Sequence, residues 1–243
     1  STMINCVYNC EYCYLQGMYP SANIVVFVNM EDYFEHIESV LKQHPLYLCI
    51  SYDTDILALE NILSYGRKWV NFAAKNSGLH MELRTKSANF KLLKDIQPAE
   101  NIIIAWTLSP DEIIGKFEHK TPELGKRLED IKSAMKSGWN TRLCFDPMVY
   151  CDNFEKVYGE FFEKTFGIID GSKLLDISLG TFRVSKDYLK NMRRANKFSP
   201  LTQYPYDISE GMAVYNKHVN EEMLKFAYSK VSKYINGEKI FLS

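Results

Sequence analysis

His80-Met81-Glu82-Leu83-Arg84-Thr85-Lys86 alternates apolar and polar residues with a period of two. Successive side chains of a strand point to opposite faces, so Met81, Leu83 and Thr85 share one face and Glu82, Arg84 and Lys86 the other. Three further runs repeat the split. Leu46, Leu48 and Ile50 oppose Tyr47, Cys49 and Ser51, a parity that carries Tyr52 onto the apolar face. Leu143 and Phe145 oppose Arg142, Cys144 and Asp146; Leu175, Ile177 and Leu179 oppose Asp176 and Ser178. A parallel sheet covered by helices on both faces reads apolar on both. One persistently polar face predicts a curved sheet, with helices outside and a wet concave side where chemistry sits at the C-terminal strand ends. The expected fold is α/β, a partial (β/α)6 TIM-like barrel.

The rest of the chain supplies the alternation that such a fold needs. Strands are expected at 23–28, 46–52, 80–85, 101–107, 141–145, 174–179 and 239–242. Helices are expected at 31–43 (capped by Asn29), 56–74, 89–96, 121–136, 153–166, 186–194 and 216–235. In the fourth of these Thr121 is the cap, Pro122 stands in the first turn and Gly138 follows the end. Residues 195–212 read as irregular, a lid or loop over the sheet. The organisation expected is a single domain, 1–243, with 195–243 a C-terminal extension packed on it.

A second feature stands near the start: Cys6-Val-Tyr-Asn-Cys10-Glu-Tyr-Cys13-Tyr14-Leu-Gln-Gly17, three cysteines at C-x3-C-x2-C spacing. A fully cysteine-ligated cubane takes four thiolates; three hold three irons and leave the fourth open to a small molecule. A zinc knuckle is the alternative, but it calls for a second pair of ligands further on, and none follows. The other cysteines, Cys49, Cys144 and Cys151, are scattered and form no disulfide framework. Net charge is −1, so no global basic field announces nucleic acid. There is no leader pattern and no apolar run long enough to span a bilayer, so a reducing cytoplasmic location without membrane contact is expected. A strand is expected to feed the cysteine loop, and the chain gives it little room before Cys6, so that strand is expected to be missing.

The C-x3-C-x2-C loop resembles the signature of the radical S-adenosylmethionine (SAM) superfamily, which uses a [4Fe–4S] cluster to cleave SAM to a 5′-deoxyadenosyl radical. Ser51-Tyr-Asp-Thr-Asp55, Arg84-Thr-Lys86, Phe117-Glu-His-Lys-Thr-Pro122 and Arg127-Leu128 narrow it. With the loop they resemble the spore photoproduct lyase family. That resemblance implies the same half-barrel, a lyase activity, and UV-damaged DNA carrying a methylene-bridged thymine dimer as substrate. It also implies an electron donor such as flavodoxin or ferredoxin. The implied mechanism takes a hydrogen from C6 of the dimer, lets the bridge break, and returns a hydrogen to the thymine allyl radical.

On matching positions the resemblance makes Cys6, Cys10 and Cys13 the cluster ligands. Tyr12 would pack on the adenine of SAM, or else plug the base of the loop. Lys86 would pair with the SAM carboxylate, or else serve as a structural ion-pair partner. Thr54 and Asp55 would bond the methionine or ribose hydroxyls, and either also suits the N-cap of helix 56–74. Ser109 would touch the ribose, although it also precedes Pro110 at an ordinary helix start. Tyr14 matches a tyrosine that relays the radical back towards SAM. The chain departs from the pattern at Tyr52, where the repairing lyases carry the cysteine that returns the hydrogen. Cys49 and Cys144, both expected on the polar face, are alternative thiol donors or simply packing. Tyr12, Tyr14 and Tyr52 are together a candidate tyrosine relay. Arg183, Lys186, Lys190, Arg193, Arg194 and Lys197 form a local basic cluster that is either a DNA-backbone contact or a solvated helix face. The same machinery acting on another substrate, and a non-catalytic iron–sulfur protein, are the alternatives in function.

Overall fold

The computed structural model describes residues 1–243. Its strands β1 (Leu46–Cys49), β2 (Leu79–Thr85), β3 (Ile102–Thr107), β4 (Asn140–Met148), β5 (Asp176–Thr181) and β6 (Ile240–Leu242) form one parallel sheet in that order. Cys49 pairs with Glu82, Arg84 with Ala105, Thr107 with Cys144 and Cys144 with Ser178, and the register shifts once, between Phe145 and Met148 of β4 against β5. Main helices are α1 (Met30–Leu41), α2 (Tyr65–Lys75), α3 (Leu124–Lys136), α4 (Phe154–Ile168), α5 (Lys186–Ala195) and α6 (Lys217–Val231). Met81, Leu83, Ile104, Trp106, Leu143, Phe145, Ile177 and Leu179 point outward to these helices and are at most 1% exposed. The opposite face is the curved, polar one that strand parity foretold. No helix is long and apolar enough to cross a membrane.

The polar face is layered because the strands are in register. At its N-terminal end Arg142 joins Asp176 (Nε to Oδ1, 2.5 Å) and Glu82, while Tyr47 donates to Glu82 at 2.6 Å. This knot satisfies its own charges and closes the bottom of the sheet. Arg84 lies in register with Arg142 through Ala105, and Cys144 lies one step further on, between Thr107 and Ser178. Ser51, Lys86 and Asp146 stand at the strand ends, where they line a cavity.

Several local expectations are corrected. The ladder of β1 ends at Cys49, so Tyr52 obeys no strand parity; it is 62% exposed rather than apolar-facing. The expected helix 56–74 is a 3-10 turn Ile56–Leu59, a short helix Glu60–Leu63 and α2. Ser64 breaks it with left-handed φ of 54°, and the Glu60 carboxylate caps the new start by accepting from Gly66 N at 2.6 Å and Arg67 N at 2.9 Å. Thr121 does not cap α3, which starts after Glu123. Asn29 makes no cap bond to α1 and donates to Asp32 instead. Met3–Ile4 does feed the cysteine loop, pairing antiparallel with Val25–Val26, the only ladder residues of 23–28. Within 195–212 lies part of a small antiparallel sheet of Arg183–Ser185, Met212–Val214 and Asp207–Ser209. From 195–243, α6 packs on β5 and α4, and β6 extends the main sheet.

Candidate active site

At the C-terminal ends of the strands a cavity of about 830 Å³ opens between the sheet, the cysteine loop and the segment 182–188. Cys6, Cys10 and Cys13 all line it. Every cysteine in the chain is unpaired. Burial pushes the Cys6 thiol up to about 12, and it raises Cys10 and Cys13 as well. Deprotonating them therefore requires a compensating cation. No group of His, Cys, Asp or Glu side chains is gathered to hold a single metal ion. Three thiols spread around one cavity fit a cubane better, since each binds a different iron.

Lys86 supplies the second sign of fit. Its Nζ lies 5.2 Å from the centre of the Tyr12 ring, and the ammonium faces Cys10, Cys13 and Glu118 without a salt bridge of its own. A half-buried ammonium with no bonded anion has room to take one, which a thiolate-bound cluster or a ligand carboxylate at the cavity would provide. Asp55 sets the position of this lysine. Its carboxylate accepts from Lys86 N at 2.7 Å, Thr85 Oγ1 at 2.7 Å and Ala58 N at 3.2 Å. Burial raises the Asp55 carboxyl, against the pull of those bonds. Thr54 Oγ1 donates to Asn5 O at 2.7 Å, tying the entry of the cysteine loop to the end of β1.

Tyr12 is 5% exposed and donates its hydroxyl to Glu118. Glu118 in turn meets Arg127 Nη2 at 2.5 Å, both side chains 0% exposed. Arg127 also donates to Thr121 Oγ1 (2.6 Å), Pro122 O (2.9 Å) and Thr107 O (3.3 Å). Burial works to raise the Glu118 carboxyl, but Arg127 and Lys86 beside it hold it below its ordinary value. The run from Phe117 to Pro122 is thus the anchor of the cysteine loop, reinforced by Glu11 N donating to Phe117 O at 2.9 Å. In sequence, Glu118 and Arg127 carry no signal beyond the family resemblance, and Thr121 and Pro122 read only as a helix start.

Tyr14 stands on another side of the cavity. Its hydroxyl donates to Tyr52 O and its ring lies 5.5 Å from that of Tyr52. Burial, with Cys13, Tyr52, Asp53 and Cys49 around it, raises the phenol well above its usual range. Cys49 lines the same cavity and its thiol is likewise raised, mainly by burial. Tyr14, Tyr52 and Cys49 therefore come together. Tyr12 has no ring contact with either tyrosine, so the three do not form one continuous stack. Cys144 is sealed at 0% exposure beside Arg84 and Ser178 and is no part of the cavity wall. Ser109 is also off the wall, 1% exposed with its hydroxyl unpartnered. Of the basic cluster, Arg193 is occupied by Thr202 O (2.8 Å) and Tyr204 O (2.9 Å), and Arg183 faces Asp146 at 3.3 Å. Lys186, Lys190, Arg194 and Lys197 are exposed.

The family model of spore photoproduct lyase matches residues 2–236. The chain belongs to the spore photoproduct lyase family. Within that family, the lyase of Clostridium acetobutylicum is 24% identical over 97% of this chain and 73% of its own length. The lyase of Bacillus subtilis is 23% identical over 65% of this chain and 48% of its own length. Among solved structures, a spore photoproduct lyase complexed with dinucleoside spore photoproduct superposes with a TM-score of 0.88. It is 18% identical and covers 99% of this chain and 74% of that one. A variant with bound AdoMet and the same dinucleoside gives 0.87 at 18% identity, covering 99% and 74%. Streptococcus suis SuiB bound to precursor peptide SuiA shares the half-barrel at a TM-score of 0.62 and 9% identity, over 99% of this chain and 47% of its own. The family is one of radical SAM lyases, so its chemistry rests on a [4Fe–4S] cluster and SAM.

Proposed function

We propose that the chain repairs the methylene-bridged thymine dimer of ultraviolet-damaged DNA by radical SAM chemistry. The observation that carries this reading is one cavity walled by three loop cysteines, an ammonium with no bonded anion, and the Tyr14–Tyr52–Cys49 group. When bound, the cluster and SAM supply a 5′-deoxyadenosyl radical. Cys6, Cys10 and Cys13 hold the cluster, Lys86 binds the SAM carboxylate as a point cation, and Tyr12 offers its remaining open edge to the adenine. Thr54 and Asp55 have their side chains engaged by the protein, so we assign them the positioning of the loop and of Lys86. Ser109 acts one step removed, beside the Tyr12 hydroxyl.

Hydrogen-atom return needs a neutral donor. Burial keeps Cys49 a thiol and Tyr14 a phenol at neutral pH. We assign the return to Cys49 or Tyr52, either of which gives a hydrogen atom to the substrate allyl radical, and the regeneration of that donor to Tyr14. Exposed Lys186, Lys190, Arg194 and Lys197 give DNA phosphates a basic flank. The unpaired thiols suit a reducing, cytoplasmic setting with a flavodoxin- or ferredoxin-type donor. Tyr52, at the position of the lyases' hydrogen-returning cysteine, favours a second reading: the same radical chemistry on another substrate. Anaerobically reconstituted protein, reduced with SAM and the dimer dinucleotide, separates the two. 5′-Deoxyadenosine together with thymidylyl-thymidine supports repair; 5′-deoxyadenosine alone supports the second reading.

A further inference from the structure

Two polar groups in the wall of the cavity have hydrogen-bonding capacity that the chain does not use. Arg84 donates from Nε to Glu82 Oε1 at 3.0 Å, and its two terminal nitrogens make no hydrogen bond. Its side chain is 38% exposed and lines the cavity. Ser51 also lines the cavity, is 9% exposed, and has an Oγ that is sealed from solvent without a partner. The two are neighbours. Cys49 pairs with Glu82, and just past the end of the strand Ile50 N donates to Glu82 O at 3.0 Å, which holds the following Ser51 close to the Glu82–Arg84 stretch; both Ser51 and Arg84 line the cavity. A buried hydroxyl left unpaired is costly, and a guanidinium presents its terminal N–H groups as a rigid fork. Both features call for a ligand with polar atoms along one edge.

The charge around the pair selects among ligands. An arginine fork also suits phosphate, but Glu82 sits against Arg84 from below and Asp146 lines the same cavity. Glu82 is shared by Arg84 and Arg142, and Asp146 is paired with Arg183, so the guanidinium of Arg84 is already balanced and offers an anion little excess charge. A neutral edge needs none. We propose that Arg84 and Ser51 read the imide edge of one thymine ring of the substrate, Arg84 donating to a ring carbonyl and Ser51 Oγ accepting from the adjacent N3–H. This rests on the thymine dimer being the substrate. It makes the pair a specificity device. A cytosine ring presents an amino group where thymine has a carbonyl, and an unprotonated N3 where thymine has N3–H. A site built to bond one pattern rejects the other strongly.

The test is substrate binding by the reconstituted holoenzyme with SAM, before reduction, followed by calorimetry. The probes are the dinucleoside form of the dimer, which carries no phosphate, the dinucleotide form, and a dinucleoside methylated at N3. The expected result is that Arg84→Met raises Kd roughly 10- to 100-fold for dinucleoside and dinucleotide alike. Ser51→Ala should weaken the dinucleoside, and N3-methylation should weaken it on the unaltered protein with little further loss in Ser51→Ala. Thermal melting certifies the fold of each variant, and the N3-methyl probe tests the pair on unaltered protein even where Arg84→Met fails to fold. Unchanged dinucleoside binding by a folded Arg84→Met, with only the dinucleotide weakened, overturns the inference in favour of a phosphate site. Equal binding of the N3-methyl and parent dinucleosides overturns the Ser51 contact. If the unaltered protein binds neither parent probe, the substrate reading itself falls, and the inference with it.

Discussion

Removing the Glu118 carboxylate should release the cysteine loop from the barrel. Glu118 and Arg127 are both sealed from solvent and meet at 2.5 Å, and Glu118 also receives the Tyr12 hydroxyl. Deleting one partner of a buried pair leaves the other charge uncompensated, a cost of about 3–5 kcal/mol. Glu118→Gln keeps an acceptor for Tyr12 but leaves Arg127 without its counter-charge, so it should fall within that range. A domain of this size has roughly 5–15 kcal/mol in all. At about 2–4 °C per kcal/mol, the midpoint should drop by roughly 6–20 °C. Urea titration gives the free energy, and hydrogen exchange locates it: the Glu11 amide, bonded to Phe117 O at 2.9 Å, should lose protection first. Replacing both partners, as Glu118→Met with Arg127→Leu, should recover much of the loss because no buried charge then remains. The pH dependence follows the same group. Its folded value lies below the ordinary 4.5, so its contribution is full above that value and fades as pH falls through the lower folded one. A Glu118→Gln variant within 1 kcal/mol of the unaltered protein, with Glu11 protection intact, refutes this anchoring role.

Other outcomes follow from the site. Lys86→Met should weaken SAM binding roughly 10- to 100-fold by equilibrium dialysis, the loss of one charge-assisted contact; unchanged affinity removes Lys86 from the SAM site. Tyr14→Phe should fold normally and cut repair turnover while 5′-deoxyadenosine still forms; unchanged turnover excludes Tyr14 from the return path. Repair run in deuterium oxide should place one deuterium in the product thymine, because S–H and O–H exchange with solvent; deuterium-free product means that the hydrogen comes from carbon. Glu60→Ala should destabilise the protein by roughly 1–3 kcal/mol, since Gly66 N and Arg67 N lose their acceptor at the helix break, which a urea titration reads.

Periodicity exposed the half-barrel because each strand's side chains must alternate, and Glu82, Arg84, Arg142 and Asp176 have only the concave side to occupy. It failed at Tyr52 because parity holds only while the ladder continues, and the ladder stops at Cys49. The break at Ser64 was hidden because Glu60 caps the next helix from a distance, through a carboxylate that reads in sequence as an ordinary helical glutamate. Thr121 looked like a cap, but Arg127 and Glu118 claim its hydroxyl. The three cysteines pointed to a cluster loop through their resemblance to the radical SAM signature. What anchors that loop lies over 100 residues away in sequence, since Tyr12 meets Glu118 only once the barrel has closed.

The most direct measurement uses the thymine dimer deuterated at C6, with reduced, reconstituted protein and SAM, and follows the label. The account expects deuterium in 5′-deoxyadenosine, and thymine pairs released in step with it. Unlabelled 5′-deoxyadenosine and intact dimer, from protein with a verified cluster, would contradict it.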